Sequence, residues 1–420
     1  MLFLYNIAQL LLVLLLWPLI AVVIAASPKY RSHIPKRLGR GLLPANRPSA
    51  MPGKKTIWVH ALSVGEVTSS LPLIRGIRET FNINLVFSVT TRTGYKLAED
   101  SITPFVDRII PFPLDILPVV RHFVTLVQPD LFILVETDFW PNLLTVLHNK
   151  KIPALLVNGR ISTKSRKFYR RFGFFFRILF NSFSALSMQT TIDRENMIAL
   201  GVPENKIYNL GNLKFDTSPL PEKKAGLFDR QQGIRIVAGS THRGEEEGLL
   251  LAYRKLKKHW HNLSLVIAPR DISRGKEIQR LAETLGLAVS CHSQRFPNPL
   301  SDLFILDTIG ELAGYFQTCD IAFVGGSLVD QGGHNPIEPA VAGVPVLFGP
   351  HMEDFAEVAE DLLAAGGALR VHDADSLFHT LKRLLDDPVF RLTTGAAAAA
   401  HIREKQGVIE RHLELIRKFL

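Results

Sequence analysis

A chain of 420 residues exceeds what one hydrophobic core usually holds, and a hydrophobic content of 47% can fill two domains of similar size. The net charge of +10 asks for an anionic partner: an acidic membrane, a phosphorylated substrate or a nucleic acid. No recognition helix, zinc spacing or RNA-binding strand is present, so no nucleic acid is expected. The two isolated cysteines, Cys291 and Cys319, make neither a disulfide framework nor a zinc site and suit a reducing compartment.

Residues 1–27 read as a membrane anchor. Leu2 to Ala26 carries no charge, and at ~1.5 Å per residue it is long enough to cross a hydrocarbon core of roughly 30 Å. A cleaved signal peptide is the rival, since Ala25-Ala26-Ser27 suits a peptidase. Against it, no basic residue precedes the run, and the run is too long for a signal's apolar region. Lys29, Arg31, Lys36, Arg37 and Arg40 follow, a cluster expected to stay cytoplasmic. The sequence leaves open whether the segment, with Pro18 inside it, spans the bilayer or inserts more shallowly.

After a Pro- and Arg-rich connector, apolar strands alternate with amphipathic helices, the pattern of parallel sheets. The first set of predicted strands is Thr56–His60, Asn84–Ser88, Leu131–Val135 and Ala154–Val157, with a helix from about Val67 after the first. The second set is Arg235–Ala238, Ser264–Ala268, Leu303–Leu306, Ile321–Val324 and Val344–Phe348. Ser218–Gln232, with Pro219, Pro221 and mixed charge, reads as a linker. Residues 28–217 and 218–395 are therefore expected to form two Rossmann-like α/β domains facing a cleft, and 396–420 a helix interrupted at Gly407. Ligands of such sheets sit at the carboxyl ends of the strands, where the chemistry is sought.

After the first strand, Ser63 and Gly65 turn the chain into a helix and leave Glu66 near its N-terminus. Such a carboxylate either compensates the helix dipole, for ~0.3–1 kcal/mol, or takes a proton from an attacking hydroxyl. Glu136 leaves the strand Leu131–Val135 directly, and Asp138 either joins it or caps the helix beginning around Pro141. Two carboxylates on two strands also fit a glycoside hydrolase, although a nucleotide loop in the second domain argues against that. Arg160, Lys164, Arg166, Lys167, Arg170 and Arg171 precede Phe172 and Phe174 to Phe176. They form either a solvated helix face above packed rings or a surface for anionic headgroups or a phosphorylated lipid. Lys214, just before the linker, is either a surface lysine or a partner for a departing phosphate.

The most informative stretch runs from Gly325 to Pro350. A strand enters glycines, and Asn335 as N-cap with Pro336 in the first turn opens a short helix. Strand, glycine loop and helix start together would present unpaired N–H groups to an anion, and Glu338 could accept from a ribose diol. This reads as the nucleotide-sugar end of a two-domain glycosyltransferase. Ala238 to Glu247, Ala268 to Asp271 and Ile309 to Glu311 are further post-strand turns able to hold a base and ribose. Asp373 and Asp375 look like a metal-binding pair but precede a predicted helix, so capping explains them, and the fourteen histidines lack ligand spacing. No metal or other cofactor is expected.

These residues resemble the 3-deoxy-D-manno-octulosonic acid (Kdo) transferases of lipopolysaccharide synthesis. The motifs occur in the family's order: His60-Ala-Leu-Ser-Val-Gly-Glu66, Glu136-Thr-Asp-Phe-Trp-Pro141, Asn158-Gly-Arg-Ile-Ser162, Ser240-Thr-His242 and Gly333-His-Asn-Pro-Ile-Glu-Pro339. The resemblance implies a GT-B fold, a CMP-Kdo donor and no metal. It also implies a tetraacyl-disaccharide bisphosphate lipid A precursor as acceptor, used at the anionic cytoplasmic face of the inner membrane. Residue by residue it implies that Glu66 is the catalytic base and that Glu136 and Lys214 stabilise the transition state. CMP is then held by Pro269, Arg270, Ile309, Gly310, Glu311, Asn335, Pro336, Ile337 and Glu338. After Gly349-Pro-His351 the family usually reads Thr-Phe-Asn, whereas this chain has Met352-Glu-Asp354, so no donor contact carries over from those positions. The alternatives are a UDP-sugar transferase acting on another lipid, a nucleotide-sugar epimerase, and a non-catalytic lipid-surface scaffold. An epimerase has little use for the anchor and the basic patch. A scaffold has no need of Glu66 and Glu136 in one domain.

Overall fold

The computed structural model describes the chain outside residues 1, 27, 41–52, 137–138, 162, 217–232, 294–300, 302 and 309. The predicted linker, Asp138 and Ile309 therefore lie outside the described residues, as does the side chain of Lys164. The chain divides into two compact units, Met1–Asp216 with Gly407–Leu420, and Thr217–Gln406.

Unit 1 opens with helices α1 (Leu2–Ala26) and α2 (Pro28–Arg37) and then alternates. The order is β1 (Thr56–Ala61), α3 (Val64–Thr80), β2 (Asn84–Val89), α4 (Arg92–Ser101), β3 (Arg108–Pro111), α5 (Leu117–Val127) and β4 (Leu131–Val135). It continues with α6 (Pro141–Asn149), β5 (Ala154–Gly159), α7 (Thr163–Arg171), α8 (Gly173–Asn181), β6 (Ala185–Met188), α9 (Thr191–Ala199) and β7 (Ile207–Asn209). The strands form one sheet in the order β3-β2-β1-β4-β5-β6-β7, and every pairing is parallel. β2, β4 and β5 are buried at every position, because helices cover both faces; this is why none alternates apolar with polar residues and why β4 is apolar throughout. Trp58 sits in this core, edge-on to Phe132 at 5.2 Å, and its indole N–H donates to Ser88 Oγ at 2.8 Å.

Unit 2 contains β8 (Ile234–Thr241), α10 (Glu245–Lys257), β9 (Leu263–Pro269), α11 (Gly275–Thr284), β10 (Val289–Cys291), β11 (Leu303–Ile305) and α12 (Leu312–Phe316). After these come β12 (Ile321–Val324), α13 (Ile337–Val341), β13 (Val346–Phe348), α14 (Ala356–Ala364), β14 (Ala368–Arg370), α15 (Ala374–Asp386) and α16 (Pro388–Lys405). Its parallel sheet has the order β10-β11-β9-β8-β12-β13-β14. Asp373 caps α15 through Ser376 N at 2.8 Å in a reciprocal capping box, a structural role for that acidic pair. Cys291 and Cys319 are both buried, and neither forms a disulfide.

The C-terminal segment is interrupted at Gly407 as expected, and the interruption divides it into two helices. α16 packs within unit 2, Gly407 takes a left-handed φ of 79°, and α17 (Val408–Arg417) returns to unit 1. Asp216 receives that return: its carboxylate accepts from Gly407 N at 2.8 Å and Ile409 N at 2.6 Å, satisfying amides at the start of α17. Buried His412 then reaches Ser187 Oγ of β6 at 2.9 Å, and burial lowers its pKa to about 4. Among the described residues no helix is long and apolar enough to cross a membrane, so a spanning anchor stays an expectation of the sequence.

Candidate functional site

In each sheet the strand order reverses direction at one place, and the candidate groups collect there. In unit 1 that place lies between β1 and β4. Glu66 stands in the first turn of α3, directly after β1, and is buried at 7% exposure; Leu62 N donates to its Oε2 at 2.5 Å. The amide before the helix fixes one carboxylate oxygen, so compensation of the helix dipole and a fixed carboxylate orientation coexist at this position.

Glu136 follows β4 with a φ of 64°, and Asn158, at the end of β5, has a φ of 58°. Left-handed backbone is uncommon outside glycine and costs of order 1–3 kcal/mol, so it persists where neighbouring structure demands it. Here Asn158 links the two segments. Its Nδ2 donates to Glu136 Oε1 at 3.4 Å, and its Oδ1 accepts from Leu213 N at 3.0 Å, beside Lys214. Gln189 Nε2 donates to Asn158 O at 3.0 Å, Asn212 Nδ2 to Gln189 Oε1 at 3.2 Å, and Lys214 N to Asn212 Oδ1 at 3.0 Å. A chain of buried amides thus ties the Glu136 loop to the Lys214 turn. Burial raises the Glu136 pKa, while Lys214, Arg160, Asn158 and Ser69 favour its charged form. Ser69, one turn beyond Glu66 on α3, has one hydroxyl proton for two acceptors, the Glu66 carbonyl at 3.2 Å and the Glu136 carboxylate.

The structure therefore brings Glu66, Glu136, Arg160 and Lys214 into one neighbourhood of unit 1. Arg160, predicted as a lipid-surface residue, acts electrostatically on Glu136. The remaining described basic residues lie on α7: Lys167, Arg170 and Arg171 are exposed, and Arg166 donates to Asn196 Oδ1 at 3.2 Å. Phe172 and Phe174 face outward, at 49% and 77% exposure, whereas Phe176 is buried.

In unit 2 the reversal lies between β8 and β12. Here the glycine loop departs from expectation. The amides of Gly326, Ser327 and Leu328 do not await an anion. They donate to the buried carboxylate of Glu245 at 2.8, 3.0 and 2.9 Å, and His242 N joins them at 2.8 Å. The protein supplies its own anion from the first turn of α10. Asn335 is likewise not the helix cap; α13 begins at Ile337 after Pro336 and spans five residues. Asn335 Oδ1 accepts from Ile337 N at 3.0 Å, and its Nδ2 donates to Glu338 Oε1 at 3.2 Å, which orients a carboxylate whose pKa burial raises.

The other predicted nucleotide turns follow strands of the same sheet. Pro269 ends β9, and Arg270 N donates to Thr241 O at 3.0 Å. Gly310 has a φ of 92°, and Glu311 meets Thr308 Oγ1 and, at 3.2 Å, His292 Nε2. His334, next to Asn335, meets His242 Nε2-to-Nε2 at 2.9 Å; burial, His242 and Arg270 lower its pKa to about 4. Asp330, His351 and Glu353 can bring one ligand atom each to within 4.8 Å of one another, a trio whose two carboxylates are exposed, of a kind common without an ion.

Comparison with known proteins assigns the chain. Residues 32–217 match the family described as 3-deoxy-D-manno-octulosonic-acid transferase (kdotransferase). A 3-deoxy-D-manno-octulosonic acid transferase of Haemophilus influenzae is 31% identical over 412 residues, covering 96% of this chain and 94% of the relative. The chain belongs to the Kdo transferase family. A transferase of the same description from Aquifex aeolicus is 32% identical over 333 residues, 79% of this chain and 86% of the relative. Among solved structures, a UDP-GlcNAc 2-epimerase from Neisseria meningitidis bound to UDP-GlcNAc superposes with a TM-score of 0.60 at 15% identity, covering 87% of this chain and 100% of that one. A glycosyltransferase of kitacinnamycin gives 0.58 at 15% identity, with 88% and 100% covered. These share the fold: two parallel-sheet α/β units of GT-B type. In the sequence the transferase's Asn158 and Glu245 stand inside quoted motifs without a role of their own, and Asp115 carries no signal. The signal available for Asn158 was a residue tolerant of left-handed backbone immediately after an apolar strand.

Proposed function

We propose that this Kdo transferase moves Kdo from CMP-Kdo to a tetraacyl-disaccharide bisphosphate lipid A precursor, with inversion and without a metal. Unit 2 holds the nucleotide, with Glu338 on the ribose, and unit 1 activates the acceptor. Glu66 takes the proton of the acceptor's primary hydroxyl as its oxygen bonds to the anomeric carbon of Kdo. The bond from that carbon to the phosphate oxygen breaks, and CMP leaves with the electron pair. Lys214 offsets the charge that develops on the phosphate, and Glu136 holds Lys214 and Arg160 in place. The observation that carries this reading is the gathering of buried Glu66 with partly buried Glu136 and Lys214 near the switch point of one sheet. Incubation of the protein with CMP-Kdo and lipid A precursor, followed by mass analysis, tests it: a gain of one Kdo unit is expected, and gain only from a UDP-sugar would sink it. EDTA should leave the rate unchanged; inhibition reversed by magnesium would show that an ion takes part.

Glu338→Ala should raise the donor KM, because a hydrogen bond from ribose to a carboxylate contributes ~1.5–3 kcal/mol. Steady-state kinetics at varied CMP-Kdo checks this, and an unchanged KM places the ribose contact elsewhere.

The transferase is further proposed to work at the cytoplasmic face of the inner membrane, where α1 and the basic face of α7 meet anionic lipid. Each exposed cation near such a surface contributes ~1 kcal/mol. Replacing Lys167, Arg170 and Arg171 together by Ala should raise KM for the lipid acceptor more than for CMP-Kdo, with the difference shrinking at high salt. Equal KM changes at both ionic strengths would make this an ordinary solvated helix.

A further inference from the structure

The apolar N-terminal helix is tied to unit 1 near its beginning, and the chain that leaves it is tied to the same place. Tyr5 OH donates to Asp115 Oδ2 at 3.1 Å, and Gln9 Nε2 donates to the Asp115 carbonyl at 3.1 Å. The side-chain amides of Asn6 and Asn142 exchange two hydrogen bonds of 2.9 and 3.0 Å. Asp115 itself is buried, and its carboxylate accepts from Asn142 N at 3.1 Å and Leu143 N at 3.0 Å in the first turn of α6. The return strand of contacts is equally specific. Arg37 Nε, at the end of α2, donates to Phe112 O at 2.9 Å, and Leu114 N donates to Arg37 O at 3.2 Å. Residues 5, 9 and 37 are thus held by one four-residue loop, 112–115, at the carboxyl end of β3, and residue 6 by Asn142, which that loop also binds.

Chain geometry limits where the far end of α1 can be. Ten residues of α2 rise about 14 Å, and the two steps from Ala26 to Pro28 add at most about 8 Å, so Ala26 lies within roughly 22 Å of Arg37. A helix starting at the protein surface and crossing the bilayer must carry its end across about 30 Å of hydrocarbon and then the opposite headgroups. The chain cannot do both. Meanwhile the described apolar side chains in the body of α1 stand open: Leu10, Leu11, Leu12, Leu14, Leu15 and Trp17 are 57–77% exposed. Apolar residues around the whole circumference require submersion, not half-immersion.

We propose that α1 is a monotopic insertion: it enters and leaves a single leaflet of an anionic phospholipid bilayer on the side where unit 1 sits, and it does not span. One leaflet offers about 15 Å of hydrocarbon, half the core, which the roughly 25 Å from Gln9 to Ala26 fits by lying oblique. The basic residues Arg31, Lys36 and Arg37 of α2 then meet the headgroups on the way back. The apolar surface continues onto unit 1, where the Tyr5 ring stands 6.3 Å from that of Phe175 on α8, next to exposed Phe174. Through the loop 112–115, the leaflet holds the switch point of unit 1 at a set height.

This inference rests on the membrane attachment proposed above, and the test separates the two. The full chain, with one cysteine appended before Met1, is added to preformed vesicles of phosphatidylethanolamine with a minority of phosphatidylglycerol, so that both units remain outside. A membrane-impermeant maleimide is then applied before and after detergent. Labelling to the same extent in both is expected. Labelling only after detergent would place the N-terminus in the lumen and overturn the proposal, while failure to bind vesicles at all would overturn the attachment itself. A second reading needs no appended residue. The fluorescence lost in Trp17→Phe reports Trp17 alone, and lipids with a quencher at acyl position 5 should quench it more than lipids with one at position 12. The reverse order overturns the proposal.

Discussion

Glu66→Gln is expected to lower turnover by ~10²–10⁴-fold, the usual contribution of a general base, while CMP affinity stays close to that of the unaltered protein. The substitution separates two roles that coincide at this residue. Glutamine keeps an oxygen for Leu62 N, which Glu66 Oε2 now accepts at 2.5 Å, so the start of α3 stays satisfied. It cannot take a proton. A purely structural carboxylate would tolerate the change. Glu66→Ala removes both functions and should add a loss of stability of about 1 kcal/mol, the typical cost of a missing cap interaction. Rates with saturating CMP-Kdo and calorimetric titration with CMP decide the case. If Glu66→Gln turns over normally, Glu136 becomes the candidate base, and its burial-raised pKa and the Asn158 contact become the basis of the mechanism.

Much of this architecture was legible in the sequence, and what was not has a common cause. Leu131–Val135 and Ile321–Val324 match the predicted strands residue for residue, because a strand buried on both faces must be an uninterrupted apolar run. The strands that escaped were β3, β6, β7, β10 and β14. Four of these are the outer edges of the two sheets, where only one neighbour and one partly covered face act on the chain. Three or four residues such as Arg108–Pro111 or Ala368–Arg370 carry too little periodicity to distinguish them from loop. The carboxylates of unit 1 were visible as types after apolar strands. Their alignment through Asn158, Gln189 and Asn212 was not, because a chain of amides joining residues 23 and 55 positions apart leaves no local pattern. The doubling back of α1 and α2 was equally hidden. It depends on Asp115, a residue more than a hundred positions away from its partner Tyr5.

At the glycine loop, as at Asn335, local chemistry pointed the wrong way, and Glu245→Gln tests the corrected account of the loop. Glycines between a strand and a helix start do offer amides to an anion, but the anion is already present in the chain. Four backbone N–H groups, those of His242, Gly326, Ser327 and Leu328, converge on two carboxylate oxygens of a residue only 1% exposed. Glutamine offers one acceptor oxygen and turns an amide group with its own hydrogens toward the other pair. Two donors are then left buried and opposed, at ~1–3 kcal/mol each. At roughly 2–4 °C per kcal/mol for a unit of this size, unfolding of unit 2 should come ~10 °C earlier. CMP affinity should fall with it, since the loop leads directly into Asn335 and Glu338. Glu245→Ala should be no better, leaving all four donors without their acceptor. Differential scanning calorimetry and CMP titration on the same preparations provide the check. An unchanged melting temperature and CMP affinity in Glu245→Gln would mean that those amides are satisfied by other means, returning the loop to the role of an open phosphate cradle.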